Sequence, residues 1–237
     1  MIRICLLLCL LICSGRLFAQ DVERQLLIDN SATEYFRMSD RQSAVYYGKE
    51  QEGHLRAINH PYLKDAQYAK SRLSYCQIIY PEAMLRLDLS RDELVILSPD
   101  QHNIILFSEN VDFAELHGYT IIHFRRDSLP GCPPTGYYLL LHSGKYKVLE
   151  KQTATLMQKD VFSSTSEQHY VLTINYYLNK DGTYYTIRNK RGLLKLFHPY
   201  KKELKRFISS HGWRFRQDAE QLISLTVNEY EKLSGWR

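Results

Sequence analysis

The chain has 237 residues, of which 44% are apolar and 24% charged, with a formal net charge of +5. This balance excludes general disorder and leaves enough chain for a core that needs no staples.

The first segment reads as an address. Met1-Ile2-Arg3 opens a short positive region, residues 4–13 are unbroken apolar, and Leu17-Phe18-Ala19 places a small residue before Gln20. This is the layout of a secretory signal peptide cut after Ala19. Ten apolar residues are too few to cross a hydrocarbon core of about 30 Å as a helix. Cys9 follows Leu8 and Cys13 follows Ile12, so neither has the small preceding residue that lipid attachment requires. The expected mature chain has 218 residues, 29 basic against 26 acidic, and carries no later apolar run long enough to anchor it. It is expected to be periplasmic or secreted.

After a polar lead-in over 21–42, the pattern turns to strands. Ala44-Val45-Tyr46-Tyr47-Gly48 is read as a short aromatic strand and Asn59-His60-Pro61-Tyr62 as a turn. Residues 84–89 alternate, with Leu85, Leu87 and Leu89 on one face; Ser90-Arg91-Asp92 turns the chain and 93–97 returns. Further strands are expected at 103–107 and 119–125, then a rigid loop at Gly131-Cys132-Pro133-Pro134. A second hairpin joins 137–142 to 145–151 across Ser143-Gly144. A third joins 170–178 to 183–188, where Asp181-Gly182 supplies the positive φ of a tight turn. The residues 163–166 are read as a polar break between these hairpins. The 18 tyrosines suit half-buried strand positions, with the ring packed and the hydroxyl wet.

Around Asn189 the period becomes helical. Leu193, Leu194, Leu196 and Phe197 start one stretch, His198-Pro199 breaks it, and 201–210 and 217–233 follow as amphipathic helices. The expected fold class is α+β: an antiparallel β-meander of several hairpins over 20–188, followed by a C-terminal helical cap over 189–237 packed on the sheet.

Charge concentrates in that cap. Arg188, Lys190, Arg191, Lys195, Lys201, Lys202, Lys205, Arg206, Arg214 and Arg216 face a single acid, Glu203, which is +9 over 29 residues. The first eight form the candidate binding patch. It suits an anionic envelope polymer or an acidic envelope protein; nucleic acid fits the charge but not the compartment. A solvated helix face explains the same run without a ligand.

No catalytic or metal-ligating residues are assigned. Asp88, Asp92 and Glu93 crowd one turn, but a calcium loop starting at Asp88 would need glycine at Glu93 and glutamate at Pro99. The nine histidines are scattered singly, and zinc-protease, nucleophile-elbow and phosphate-loop motifs are missing, so no cofactor is expected. Of the cysteines outside the leader, Cys76 and Cys132 either pair as a disulfide, closing a long loop, or stand as separate thiols.

Three segments together, Ala44-Val45-Tyr46-Tyr47-Gly48, Asn59-His60-Pro61-Tyr62-Leu63 and residues 84–95, resemble a family of uncharacterised secreted or periplasmic proteins of Bacteroidota-type bacteria. Residues 136–144, the hairpin around Tyr176-Tyr177-Leu178 and Gly182-Thr183-Tyr184, and Leu204-Lys205-Arg206-Phe207-Ile208 are similar too. These are strand, turn and helix patterns of low specificity. Such proteins often accompany outer-membrane receptor systems, so the resemblance implies an envelope accessory role without catalysis. The alternative is a secreted hydrolase acting on an envelope or extracellular polymer, with acids drawn from Asp88, Asp92 and Glu93.

Overall fold

The computed structural model describes residues 44–159 and 167–235. The expected leader, the 21–42 lead-in and the 163–166 break lie outside these residues.

Among the described residues, eleven antiparallel strands form one sheet: β1 Lys49–Glu50, β2 Ala69–Tyr75, β3 Ile78–Asp88, β4 Glu93–Leu97, β5 Asn103–Ile105, β6 Val111–Leu116, β7 Tyr119–Phe124, β8 Gly136–Ser143, β9 Lys147–Lys159, β10 Glu167–Lys180 and β11 Thr183–Ile187. Their order is β1-β5-β4-β3-β2-β6-β7-β8-β9-β10-β11. From β6 to β11 each strand pairs antiparallel with its successor; turns of two or three residues join β6 to β7, β8 to β9 and β10 to β11, and the loop 125–135 joins β7 to β8. In the β10–β11 turn, Asp181 and Gly182 take φ of 52° and 79°, the two positive values of the tight turn whose twist matches its strands. Three helices follow, α1 Lys190–Leu196, α2 Lys201–Ser210 and α3 Phe215–Leu233. Asn189 caps α1, its side chain accepting from the Gly192 amide at 2.8 Å, which satisfies an otherwise orphaned donor.

The α+β meander with a helical cap is therefore the fold. Two strands, β2 and β6, were not expected; their Ser71, Arg72, Asp112 and Glu115 break the apolar alternation by which strands are read. The 44–48 segment is not a strand: Ala44–Tyr46 is a 3-10 turn that buries Val45, and pairing begins only at Lys49.

One row of side chains organises the inner face. Tyr80, Leu73, Ala114, Ile121, Leu139, Glu150, Tyr176 and Ile187 stand in register across β3, β2, β6, β7, β8, β9, β10 and β11. Cross-strand partners share a face, so this row should be apolar throughout. It is, except at Glu150. The sheet also bends back on itself. Ahead of the start of β2, the segment 61–63 pairs with the end of β3, the Leu63 amide donating to Leu87 at 3.0 Å and the Leu89 amide to Pro61 at 2.9 Å. The carbonyl of Leu89 then accepts from the Ala154 amide of β9 at 3.0 Å.

Apolar burial falls into separate clusters. The first joins the inner faces of β2–β8 to Val45, Leu63, Ala154 and Tyr170. The second packs the helices, through Leu193, Phe197, Leu204, Ile208, Ile223 and Val227, onto Val148, Leu178 and Ile187. A smaller aromatic cluster around Tyr138, Leu149 and Tyr184, with Cys132 at its edge, occupies the opposite face. No helix among the described residues is long and apolar enough to cross a membrane.

Candidate functional site

The helical cap buries one stripe and presents another. On α2, Leu204 and Ile208 are buried while Lys201, Lys202, Lys205 and Arg206 are exposed, the separation that a period of 3.6 residues imposes. On α1, Leu193 and Leu194 face inward and Arg191 and Lys195 are exposed, with Lys190 half-buried. Arg188, Arg214 and Arg216 are exposed as well. None of these ten side chains forms an ion pair among the described residues. Of the eight candidate residues, seven are exposed and Lys190 is half-buried; on α2, Lys201 and Lys205, and Lys202 and Arg206, are neighbours at i, i+4.

The three crowded acids are spent on structure. Asp88 is 0% exposed. It accepts from Gln51 Nε2 at 2.9 Å and from the Ser90 and Arg91 amides at 2.9 and 3.1 Å, and it pairs with His54 Nε2. Asp92 takes Lys151 Nζ at 2.5 Å and the Tyr137 amide at 3.2 Å. Glu93 accepts from Gln51 Nε2 at 3.1 Å. Burial pushes the Lys151 ammonium below its usual range, and Asp92 opposes the fall. These carboxylates tie the 51–54 segment and β9 to the β3–β4 turn.

Cys76 and Cys132 are separate free thiols, so the disulfide is not made. Cys76 lies exposed at the β2–β3 turn. The loop bearing Cys132 is held to β11, Pro130 accepting from the Tyr184 amide at 2.9 Å. Burial raises the Cys132 thiol above its usual range, the opposite of what a nucleophile needs. Among the described residues, no group of three or more His, Cys, Asp or Glu side chains gathers to hold a metal ion.

A site that sequence reasoning missed lies where the two main clusters fail to meet. Between them the inner face of β9 and β10 is roofed only at its edges, by residues 59–64 and by the start of α3, leaving a cleft of about 460 Å³. Its floor carries Glu150, Gln152 and Tyr176; its wall includes Leu172 and Ile174, which remain 50% and 41% exposed. Glu150 is only 1% exposed. Its Oε1 accepts from Gln152 Nε2 at 2.5 Å; its Oε2 makes no hydrogen bond of full geometry, and the Tyr176 phenol is the side chain placed to approach the carboxylate. Burial raises the proton affinity of this carboxyl above the usual range; Gln152 offsets part of the rise, the charge of Glu220 adds to it, and Lys64 and Tyr176 oppose it. Along the rim, Lys64 Nζ lies 5.3 Å from the centroid of the Tyr119 ring, and the Tyr119 phenol donates to Glu220 Oε2 at 3.2 Å. Behind the cleft, the Tyr170 phenol meets His54 Nδ1 at 3.1 Å, linking it to buried Asp88.

The signal for this site was in the alternation of β9. Val148, Glu150, Gln152 and Ala154 share the inner face, and two adjacent positions there are polar where the pattern asks for apolar side chains.

Compared with models of protein families, with curated proteins and with solved structures, the chain matches none.

Proposed function

We propose that this chain is an exported, non-enzymatic envelope protein that binds an anionic envelope polymer, or an acidic partner surface, through its helical cap. The observation that carries the reading is the set of ten basic side chains on the cap with no ion pair among the described residues. A solvated helix ordinarily intersperses both signs; here the attraction is of one sign and fades over a Debye length of about 8 Å at physiological salt. The leader-like segment over residues 1–19 and the resemblance to secreted Bacteroidota-type proteins support the compartment.

The test is retention of the full-length product on phosphatidylglycerol vesicles and on polygalacturonate across a salt series, with neutral vesicles and dextran as references. Retention on the anionic supports should fall steeply with salt and be lost when Lys201, Lys202, Lys205 and Arg206 are changed to Gln. Equal retention by that variant overturns the reading, as does recovery of the native product from the cytosol with Met1 intact.

A hydrolase is the second reading, and the observation favouring it is the pair Glu150 and Glu220 in one cleft rather than the acids of the β3–β4 turn. Release of reducing ends from an envelope polysaccharide, abolished by Glu150→Gln, would establish it.

A further inference from the structure

The cleft has the features of a ligand site; it shares Arg216 with the cap but none of the eight candidate cations. Its volume, about 460 Å³, falls in the range of small-molecule sites, roughly 300–1,000 Å³. Glu150 is buried in its floor with Oε2 lacking a hydrogen bond of full geometry. A buried polar atom left without a partner costs about 1–3 kcal/mol, so a chain that keeps one on an otherwise apolar row gains something by it. Oε2 is sealed from solvent as the side chain now lies, so a ligand hydroxyl would remove the cost once Glu150 turns that oxygen into the cleft.

The surroundings narrow the ligand. Glu150 and Glu220 contribute two carboxyls to the lining and Lys64 and Arg216 two cations, so the cleft carries no excess of either sign for an anion or an amine to answer. Leu172 and Ile174 on β10 face solvent at 50% and 41% exposure, a bare apolar wall beside a polar floor. A molecule with hydroxyls along one edge and an apolar ring face on the other fits both. We infer that this cleft binds a neutral saccharide of one or two rings, with Glu150 Oε2 as the acceptor of a sugar hydroxyl and Leu172 and Ile174 covered by the ring face.

The test uses the full chain and five neutral probes, glucose, galactose, N-acetylglucosamine, maltose and cellobiose, with butylamine and succinate as charged references. Saturation-transfer NMR identifies binders and calorimetry measures their affinity. At least one saccharide should bind saturably at one site per chain, unaffected by either reference. Glu150→Gln should weaken it at least tenfold. Leu172→Asp, on an exposed position that leaves the core untouched, should weaken it comparably and serves if Glu150→Gln fails to fold. The Gln variant of Lys201, Lys202, Lys205 and Arg206 should bind as the unaltered chain does, which separates this site from the cap. Binding of none of the five sugars overturns the inference. So does saccharide affinity unchanged in both cleft variants, or displacement of the sugar by butylamine or succinate.

Discussion

Glu150 sets the terms at the residue scale. It stands in register between Leu139 on β8 and Tyr176 on β10, a position that faces the core by pleat alone. Burial raises its proton affinity first, and the charge of Glu220 adds to the rise, so the folded chain holds this proton more firmly than the unfolded chain. By linkage, the folded state binds more protons there, and stability falls as pH rises from the ordinary glutamate range through the raised one. Glu150→Gln should therefore stabilise the chain by about 1 kcal/mol at neutral pH, since it removes the ionisable group and keeps the shape. The gain should shrink to nothing below about pH 4, where glutamate is protonated in both states. Urea titrations of both chains across that interval would show it; a gain independent of pH would mean that folding leaves the proton affinity of Glu150 unchanged. The same substitution is expected to weaken saccharide binding, the usual exchange of stability for a site.

At the element scale, the cap is held to the sheet by a carboxylate as well as by its apolar stripe. Glu231, near the end of α3 and 3% exposed, accepts from the Tyr146 amide at 2.8 Å and from His142 Nε2 at 3.0 Å. Both partners flank the β8–β9 turn. Gly144 at its centre has no room for a side chain, because a Cβ there would collide with the Glu231 carboxylate; the helix approaches the turn closely because that residue is glycine. Above this contact, Phe197 and Tyr230 lie with ring centroids 4.1 Å apart, and Tyr146 packs against both. Glu231→Ala leaves a buried amide without its acceptor, so it should cost about 2–3 kcal/mol. Hydrogen exchange should speed up most in the last turns of α3 and in the β8–β9 turn. A loss under about 0.5 kcal/mol would show that the apolar stripe alone seats the helix.

Over the whole molecule, stability and binding charge are carried by different surfaces. The helical cluster buries its leucines, Phe197 and Ile208 against Val148, Leu178 and Ile187, while the cap's cations point away from it. Changing Lys201, Lys202, Lys205 and Arg206 to Gln should therefore leave the unfolding free energy within about 0.5 kcal/mol of its starting value, with a small gain at low salt from relieved repulsion. A larger loss in thermal or urea unfolding would mean that these side chains brace the fold, and their charge would no longer speak for a partner.

Sequence periodicity was enough to recognise the hairpins at β3–β4, β8–β9 and β10–β11, the span of α2 and the change from strands to helices, because each rests on local chemistry: alternation, an Asp-Gly turn, a buried stripe. The basic run was legible for the same reason, since charge density is a property of composition. What the tertiary structure decided is everything that depends on register across the sheet. It brought Glu150 into an apolar row seven strands wide around it, set the start of α3 and residues 59–64 on either side of an uncovered stretch of β9 and β10, committed Asp88, Asp92 and Glu93 to bracing, and kept Cys76 apart from Cys132. Pairing between distant strands is chosen by the total apolar surface that the chain can bury, and no window along the sequence contains that sum.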